Sequence, residues 1–342
     1  MKLVKFIGMS ILTSSLLMGT TSVDLRKKAT QAGLKAIPQD KQALMKIIDP
    51  NNVITDKRVE LGKKLFFEPR LSKSGIISCN TCHNLGMGGV DGVPAAVGHK
   101  WMANPHHLNS PTVYNAVFYD AQFWDGRAHQ VEDQAQGPMQ AEPEMAAPKP
   151  LVEERINSIA EYVASFKEAY GKDVKINFET ITATIGLFER TLVTPSRFDD
   201  FLNGKDDALN DAEKEGLNVF IDKGCVTCHS GIALGGTMQP FQVAGKYKFA
   251  SLGDFKGDKN GLVKTPTLRN ITETAPYFHN GAIWNLANAV KEMGSTQLGI
   301  DISDDDASKI VTFLNALEGR KPEIVYPQLP KSSAKTPKPD FK

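Results

Sequence analysis

The sequence predicts a mainly α fold made of two units of similar design joined by long loops. Three observations predict it. A five-residue cysteine motif occurs twice. A helix-like stretch precedes each copy, with Gly followed four residues later by Phe. Elsewhere apolar residues recur at helical spacing, and no run of alternating strand-like residues occurs.

At 342 residues the chain is long enough for about two domains. It carries 40 Lys plus Arg against 39 Asp plus Glu. With that near-neutral balance nothing points to nucleic acid or to an anionic membrane surface. With 41% hydrophobic and 23% charged residues the chain is neither disordered nor membrane-embedded. Four cysteines are too few for a disulfide scaffold of this size.

The chain opens on a segment with the features of a secretory signal, residues 1–22. Lys2 and Lys5 precede the apolar stretch Phe6 to Met18, too short to span a bilayer, and small residues from Gly19 to Ser22 offer a cleavage site. Its removal takes two lysines and no acids, turning a formal charge of +1 into −1. No other long apolar run follows, so no membrane span is expected after removal. The first unit is expected over 23–204. Gly62 and Phe66 share a helix face ahead of Cys79. A glycine-rich loop runs from Gly86 to Gly98, and helical spacing recurs over Leu151–Tyr170 and Asn177–Val193. The second unit is expected over 205–325. Gly216 and Phe220 share a helix face ahead of Cys225. Ser303 caps a late helix carrying Ile310, Phe313, Leu314 and Leu317, which Gly319 and Pro322 end. The stretch 326–342, rich in Pro, Lys and Ser, reads as a loose tail.

Cys79-Asn80-Thr81-Cys82-His83 and Cys225-Val226-Thr227-Cys228-His229 carry the chemistry. C-x-x-C-H is the attachment signature of c-type haem. Two thiols one helical turn apart add to the two haem vinyl groups, and the next residue, His, lies under the iron. A Cys₄ zinc site does not require His after each pair, and the pairs stand 146 residues apart. A thioredoxin-like pair needs a βαβ context that is absent. A helix leading into C-x-x-C-H opens a cytochrome c fold, so the fold class becomes mainly α with two cytochrome c-like haem domains and long loops. The cofactors expected are two covalently attached haem c groups.

A haem electron carrier needs both axial iron positions filled, whereas a haem enzyme needs one that is open or can be opened. For the second haem the candidates are Met238, nine residues past His229, and Met293, 64 residues past it. Nine residues leave little chain to reach the opposite face, which favours Met293. For the first haem Met87 is too close to His83, and His99 ends the glycine-rich loop 16 residues on. Read alone, His99 is as good a structural histidine as a ligand. His106 and His107 beside Pro105 read as a turn.

The chain resembles the bacterial dihaem cytochrome c peroxidases from about Leu61 to Gly319. Besides the haem motifs, the matching segments are Asn109-Ser110-Pro111-Thr112, Phe123-Trp124-Asp125-Gly126-Arg127-Ala128, Gly137-Pro138-Met139 with Glu144-Met145, Thr265-Pro266-Thr267-Leu268-Arg269-Asn270 and Thr274-Ala275-Pro276-Tyr277-Phe278-His279-Asn280-Gly281. The resemblance implies a periplasmic enzyme that reduces hydrogen peroxide to water with electrons from a small soluble cytochrome c or cupredoxin. It implies a low-potential peroxidatic haem on Cys79, Cys82 and His83 with His99 as labile distal ligand. It implies Glu144 as acid–base group, Trp124 as electron relay and Met293 as sixth ligand of the high-potential haem on Cys225, Cys228 and His229. It further implies Ca²⁺ on Asn109, Thr274 and Pro276, and a homodimer. One departure is local: Lys100 to Leu108 is longer than in the family, so His106 and His107 receive no role.

Blander readings stand beside these. Phe123 and Trp124 are of the type that fills cores, and a lone Glu usually faces solvent. Arg127 and Arg269 are either partners of haem propionates or members of ion pairs, and His279 is either a propionate neighbour or a structural histidine. Two rival functions are a plain dihaem electron carrier, which would need neither Glu144 nor a labile loop, and a dihaem enzyme that matures a quinone cofactor. The latter class has Tyr where this chain has Met293.

Overall fold

The computed structural model describes residues 21–342, so the leader expected at 1–22 lies almost wholly outside the described residues. Among the described residues no helix is long and apolar enough to cross a membrane.

The architecture is helical, with one two-stranded antiparallel sheet, Met238–Pro240 against Leu262–Lys264. Each unit is organised by one close helix crossing. In the first, Asp56–Phe66 crosses Phe178–Glu189 at Gly62, where a Cβ would stand 2.2 Å from the Thr184 carbonyl oxygen and 2.9 Å from Phe188 Cβ. In the second, Asp211–Asp222 crosses Asp304–Asn315 at Gly216, where a Cβ would stand 2.1 Å from the Lys309 oxygen and 2.9 Å from Phe313 Cβ. The two crossings match atom for atom. Only a residue without a side chain lets backbones approach this closely. The helices begin where their sequence caps them: Thr55, Asn177, Asn210 and Ser303 each accept a first-turn N–H on a side-chain oxygen.

Two apolar cores result. One gathers Phe66, Phe166, Phe178, Ile185 and Phe188, and the other gathers Leu217, Phe220, Ile310, Phe313 and Leu317. Core membership departs from the boundary expected at 204. Leu25 and Ala29 of the helix Ser22–Gln31, Leu34, and Phe198 and Phe201 of Arg197–Leu202 all pack in the second core. Among the described residues the chain therefore runs first on the second unit, crosses to the first, and returns.

The stretch 326–342 makes the opposite crossing. It contains no helix or strand, as its composition predicts, but it does not hang loose. The Tyr326 ring meets Phe67 edge-on at 4.7 Å. Arg70 Nη2 donates to the Pro330 carbonyl at 2.8 Å and Arg155 Nη2 to the Lys338 carbonyl at 3.0 Å. The Asp340 N–H donates to the Lys73 carbonyl at 3.0 Å. An extended, proline-rich backbone leaves its carbonyls unused. Buried Arg155 and half-buried Arg70 of the first unit take them up, which periodicity cannot reveal.

A Gly216→Val substitution places branched carbons where the Lys309 carbonyl already sits. We expect a loss of about 1–3 kcal/mol, read as a lower denaturation midpoint. An unchanged midpoint would mean that the crossing tolerates a side chain.

Candidate functional site

Each cysteine motif follows the glycine-bearing helix of its unit, Cys79 thirteen residues after Phe66 and Cys225 three after Asp222. Ser78 and Thr81 cap the short turn Cys79–Cys82 reciprocally. His83 Nδ1 donates to the Pro111 carbonyl at 3.0 Å, and His229 Nδ1 donates to the Leu234 carbonyl at 3.2 Å. Each bond fixes the tautomer and leaves Nε2 free to ligate, the arrangement usual for metal-binding histidines. Burial lowers the pKa of both rings, that of His229 to about 4, so both imidazoles are neutral at pH 7. Burial also pushes the Cys82 thiol up to about 12 and the Cys225 thiol up to about 11. The four sulfurs lie in two separate sites, and among the described residues no group of three or more His, Cys, Asp or Glu side chains could hold a metal ion. A Cys₄ zinc site is not assembled.

Sequence repetition runs deeper than the cysteine motifs. Thr112 Oγ1 donates to the Gly88 carbonyl at 2.7 Å, and Thr267 Oγ1 donates to the Ala233 carbonyl at 2.6 Å. Asn115 and Asn270 both adopt left-handed backbone, φ 63° and 58°, and both side-chain amides donate to the one Thr194 hydroxyl, at 2.7 and 2.9 Å. Phe123 and Phe278 repeat the same strained turn, φ 66° and 69°. This equivalence makes Trp124 the counterpart of His279, and Asn109 the counterpart of Lys264. The four meet between the units. The Asn109 N–H donates to the His279 carbonyl and the Lys264 N–H to the Trp124 carbonyl, both at 2.8 Å. Trp124 Nε1 donates to the Asn109 carbonyl at 2.9 Å, and its ring faces the His279 ring edge-on at 6.3 Å.

A partly open cavity adjoins this junction and is lined by Cys225, Cys228, His229 and Met293. Its thiol–imidazole–thioether lining fits haem. Met293 ends the helix Leu286–Met293 and is followed by a π-helical turn, Gly294–Leu298. Such turns re-aim the side chains beside them. Met238, the other candidate, is not in that lining. Its sulfur packs over Gly126.

On the first side, His99 is 1% exposed, and neither ring nitrogen has a hydrogen-bond partner. Two unsatisfied buried nitrogens mark a side chain built to meet a group from outside the polypeptide. The nearest acid, Glu142, lies 3.8 Å from Nε2. The His99 N–H donates to the Glu144 carbonyl at 2.7 Å, so one main-chain bond holds the two residues together. Glu144 is half-buried. Burial raises its carboxyl pKa, with Arg127 and His106 pulling the other way. Lys100 to Leu108 forms a tight hairpin, with the Ala96 N–H donating to the Leu108 carbonyl and the Gly98 N–H to the Met102 carbonyl, both at 3.0 Å. His106 at its far end pairs with Asp254 of the second unit at 3.0 Å.

Asn109 Nδ2 donates to the Val93 carbonyl at 2.9 Å, leaving its Oδ1 free. Asn109, Thr274 and Pro276 line the same cavity. Of three readings left open by the sequence, that of Arg269 resolves. Arg269 is fully buried in a two-pronged pair with Asp199, 2.8 and 2.9 Å, and is no propionate partner. Arg127 pairs with Asp125 at 2.8 Å and lies over the Phe123 ring at 3.5 Å. His279 sits among Trp124, Phe241, Tyr247 and Phe255. Sequence reasoning missed Lys264. The signal was present: Lys264 stands two residues before Pro266-Thr267, as Asn109 stands before Pro111-Thr112.

Residues 56–207 match the family model described as di-haem cytochrome c peroxidase, and residues 213–318 match that described as cytochrome c. The cytochrome c551 peroxidase of Pseudomonas aeruginosa is 48% identical over 300 residues, covering 84% of this chain and 86% of the relative. That of Nitrosomonas europaea is 43% identical over 337 residues, covering 96% and 97%. A crystal structure of a MauG-like protein associated with microbial copper homeostasis superposes with a TM-score of 0.68 at 24% identity, over 78% of this chain and 90% of that one. This last likeness concerns the fold alone.

Proposed function

The chain belongs to the di-haem cytochrome c peroxidase family and is a cytochrome c peroxidase, and on that premise we propose how its residues divide the work. The protein acts in the periplasm. It reduces hydrogen peroxide to two waters with two protons and two electrons, the electrons taken singly from a small soluble cytochrome c or cupredoxin. Two covalently held haem c groups supply the iron chemistry. Cys79 and Cys82, and Cys225 and Cys228, carry the thioether links. His83 and His229 offer Nε2 to iron from rings held by their Nδ1 bonds. Met293 completes the second site through its thioether, which raises that site's potential.

One observation carries the peroxidatic assignment of the first site: buried His99, with both ring nitrogens unpartnered, is tied by its own N–H to the Glu144 carbonyl. His99 would be the removable ligand, its hairpin parting from the Glu144 loop as that main-chain bond opens, while Glu144 stays on its own loop. Its carboxylate takes a proton from one peroxide oxygen and returns it to the other, so that the departing oxygen leaves as water. Trp124, bonded through Nε1 to Asn109 and seated on the Lys264 strand, spans the gap between the units. A plain electron carrier could keep His99 as a fixed ligand but would have no use for Glu144 beside it.

The free Oδ1 of Asn109 and the carbonyls of Thr274 and Pro276 are hard oxygen ligands suited to Ca²⁺ and poor for zinc. They carry no formal charge, so binding is modest and waters complete the shell. Calcium at this seam supports a homodimer. Chelation should therefore lower activity and shift sedimentation toward monomer. A chelated enzyme unchanged in both would remove the site.

Replacing Met293 by His should lower the potential of the second haem markedly, because imidazole stabilises ferric iron better than thioether does. A redox titration with the high potential intact would exclude Met293 as ligand.

The decisive experiment pairs two variants. His99→Gly should leave the first haem open in every redox state, so that activity no longer depends on prior reduction. Glu144→Gln should keep both haem spectra and peroxide access but slow turnover by at least about 10²-fold. Wild-type turnover in Glu144→Gln would remove its catalytic role. A first haem already high-spin in the oxidised wild type, by electron paramagnetic resonance, would remove His99 as resting ligand.

A further inference from the structure

Lys264 is 2% exposed and ends the strand Leu262–Lys264, its N–H bonded to the Trp124 carbonyl. Among the described residues its ammonium has no hydrogen-bond or ion-pair partner; it lies 4.9 Å from the centre of the Tyr119 ring. An aromatic face attracts a cation, but it does not replace the water lost on burial. The acid whose charge reaches it, Asp125, is already engaged by Arg127 at 2.8 Å. Burial consequently lowers the pKa of Lys264 to about 8, against the pull of Asp125. A buried cation without a counter-charge is costly, and retaining one implies an anion that the polypeptide does not provide.

The position of Lys264 indicates which anion. It lines the same cavity as His229, Met293 and the second cysteine pair. A haem in that cavity brings two propionates. At the matching position the first unit has Asn109, which is uncharged.

We propose that the Lys264 ammonium is the counter-charge of a haem propionate in the second cavity, and that it raises the potential of that haem relative to the first. A fixed cation beside a haem favours the extra electron. Lys264 is thus a positioning residue, which acts on potential without touching peroxide. The asymmetry between the two haems would then rest on a Lys at one of two equivalent positions as well as on Met293. The inference depends on the two-haem reading above: failure of the wild-type protein to bind two haems would overturn that reading, whereas the variants below test Lys264 alone.

The test is a potentiometric titration of the purified dihaem protein as wild type, Lys264→Met, Lys264→Gln and Lys264→Arg. Both neutral variants should shift the one-electron equilibrium of the second haem about tenfold toward the oxidised form, a fall of about 59 mV. Lys264→Arg should stay near wild type. If the neutral variants fail to retain the second haem while Lys264→Arg retains it, the counter-charge role is likewise supported, because charge alone separates them. Unchanged potentials in both neutral variants, or equal loss in Lys264→Arg and Lys264→Met, would overturn the proposal.

Discussion

Two main-chain hydrogen bonds between the units govern the rest of the site. The Asn109 N–H is satisfied by His279 and the Lys264 N–H by Trp124. Each unit thus completes the backbone bonding of the other, and buried backbone groups left unpaired are expensive. The two bonds hold the Trp124 and His279 rings edge to face at the seam. The shared Thr194 hydroxyl, which takes a hydrogen bond from Asn115 on one side and Asn270 on the other, fixes the same relation a second time. The units are therefore held in register rather than merely linked.

A duplicated scaffold with unlike side chains explains how one chain supports two different haem environments. The crossings at Gly62 and Gly216 are the same in both halves, and His83 and His229 each donate from Nδ1 to a main-chain carbonyl, though to non-equivalent ones, Pro111 and Leu234. The differences lie at Trp124 against His279, at Asn109 against Lys264, and in a hairpin that carries His99 against a helix that Met293 ends.

What was legible in the sequence follows from how local each constraint is. The C-x-x-C-H motifs could be read because covalent chemistry fixes their spacing. The glycine–phenylalanine helices and the Ser303 cap could be read because a helix repeats every few residues. The preference for Met293 over Met238 followed from chain length alone; Met293 lines the cavity and Met238 does not. Arg269 could not be assigned because its partner, Asp199, lies 70 residues away. The burial of His99 without a partner is a tertiary fact. The tail misled for the converse reason: its backbone is as irregular as expected, and what orders it is the donors of Arg70 and Arg155.

The crossed termini bear on the order in which the molecule can be assembled. The helix Ser22–Gln31 finds its core only when the second unit exists, and the first unit gains its outer layer only from residues 326–342. Contacts between the ends of a chain are the last to form, and a topology rich in them folds slowly. The half synthesised first is thus the last to be sealed. Until residue 342 is in place, the flank of the first unit at Lys73, six residues before Cys79, lacks its cover. A cofactor joined to Cys79 and Cys82 would therefore meet a first unit whose flank at Lys73 is still open.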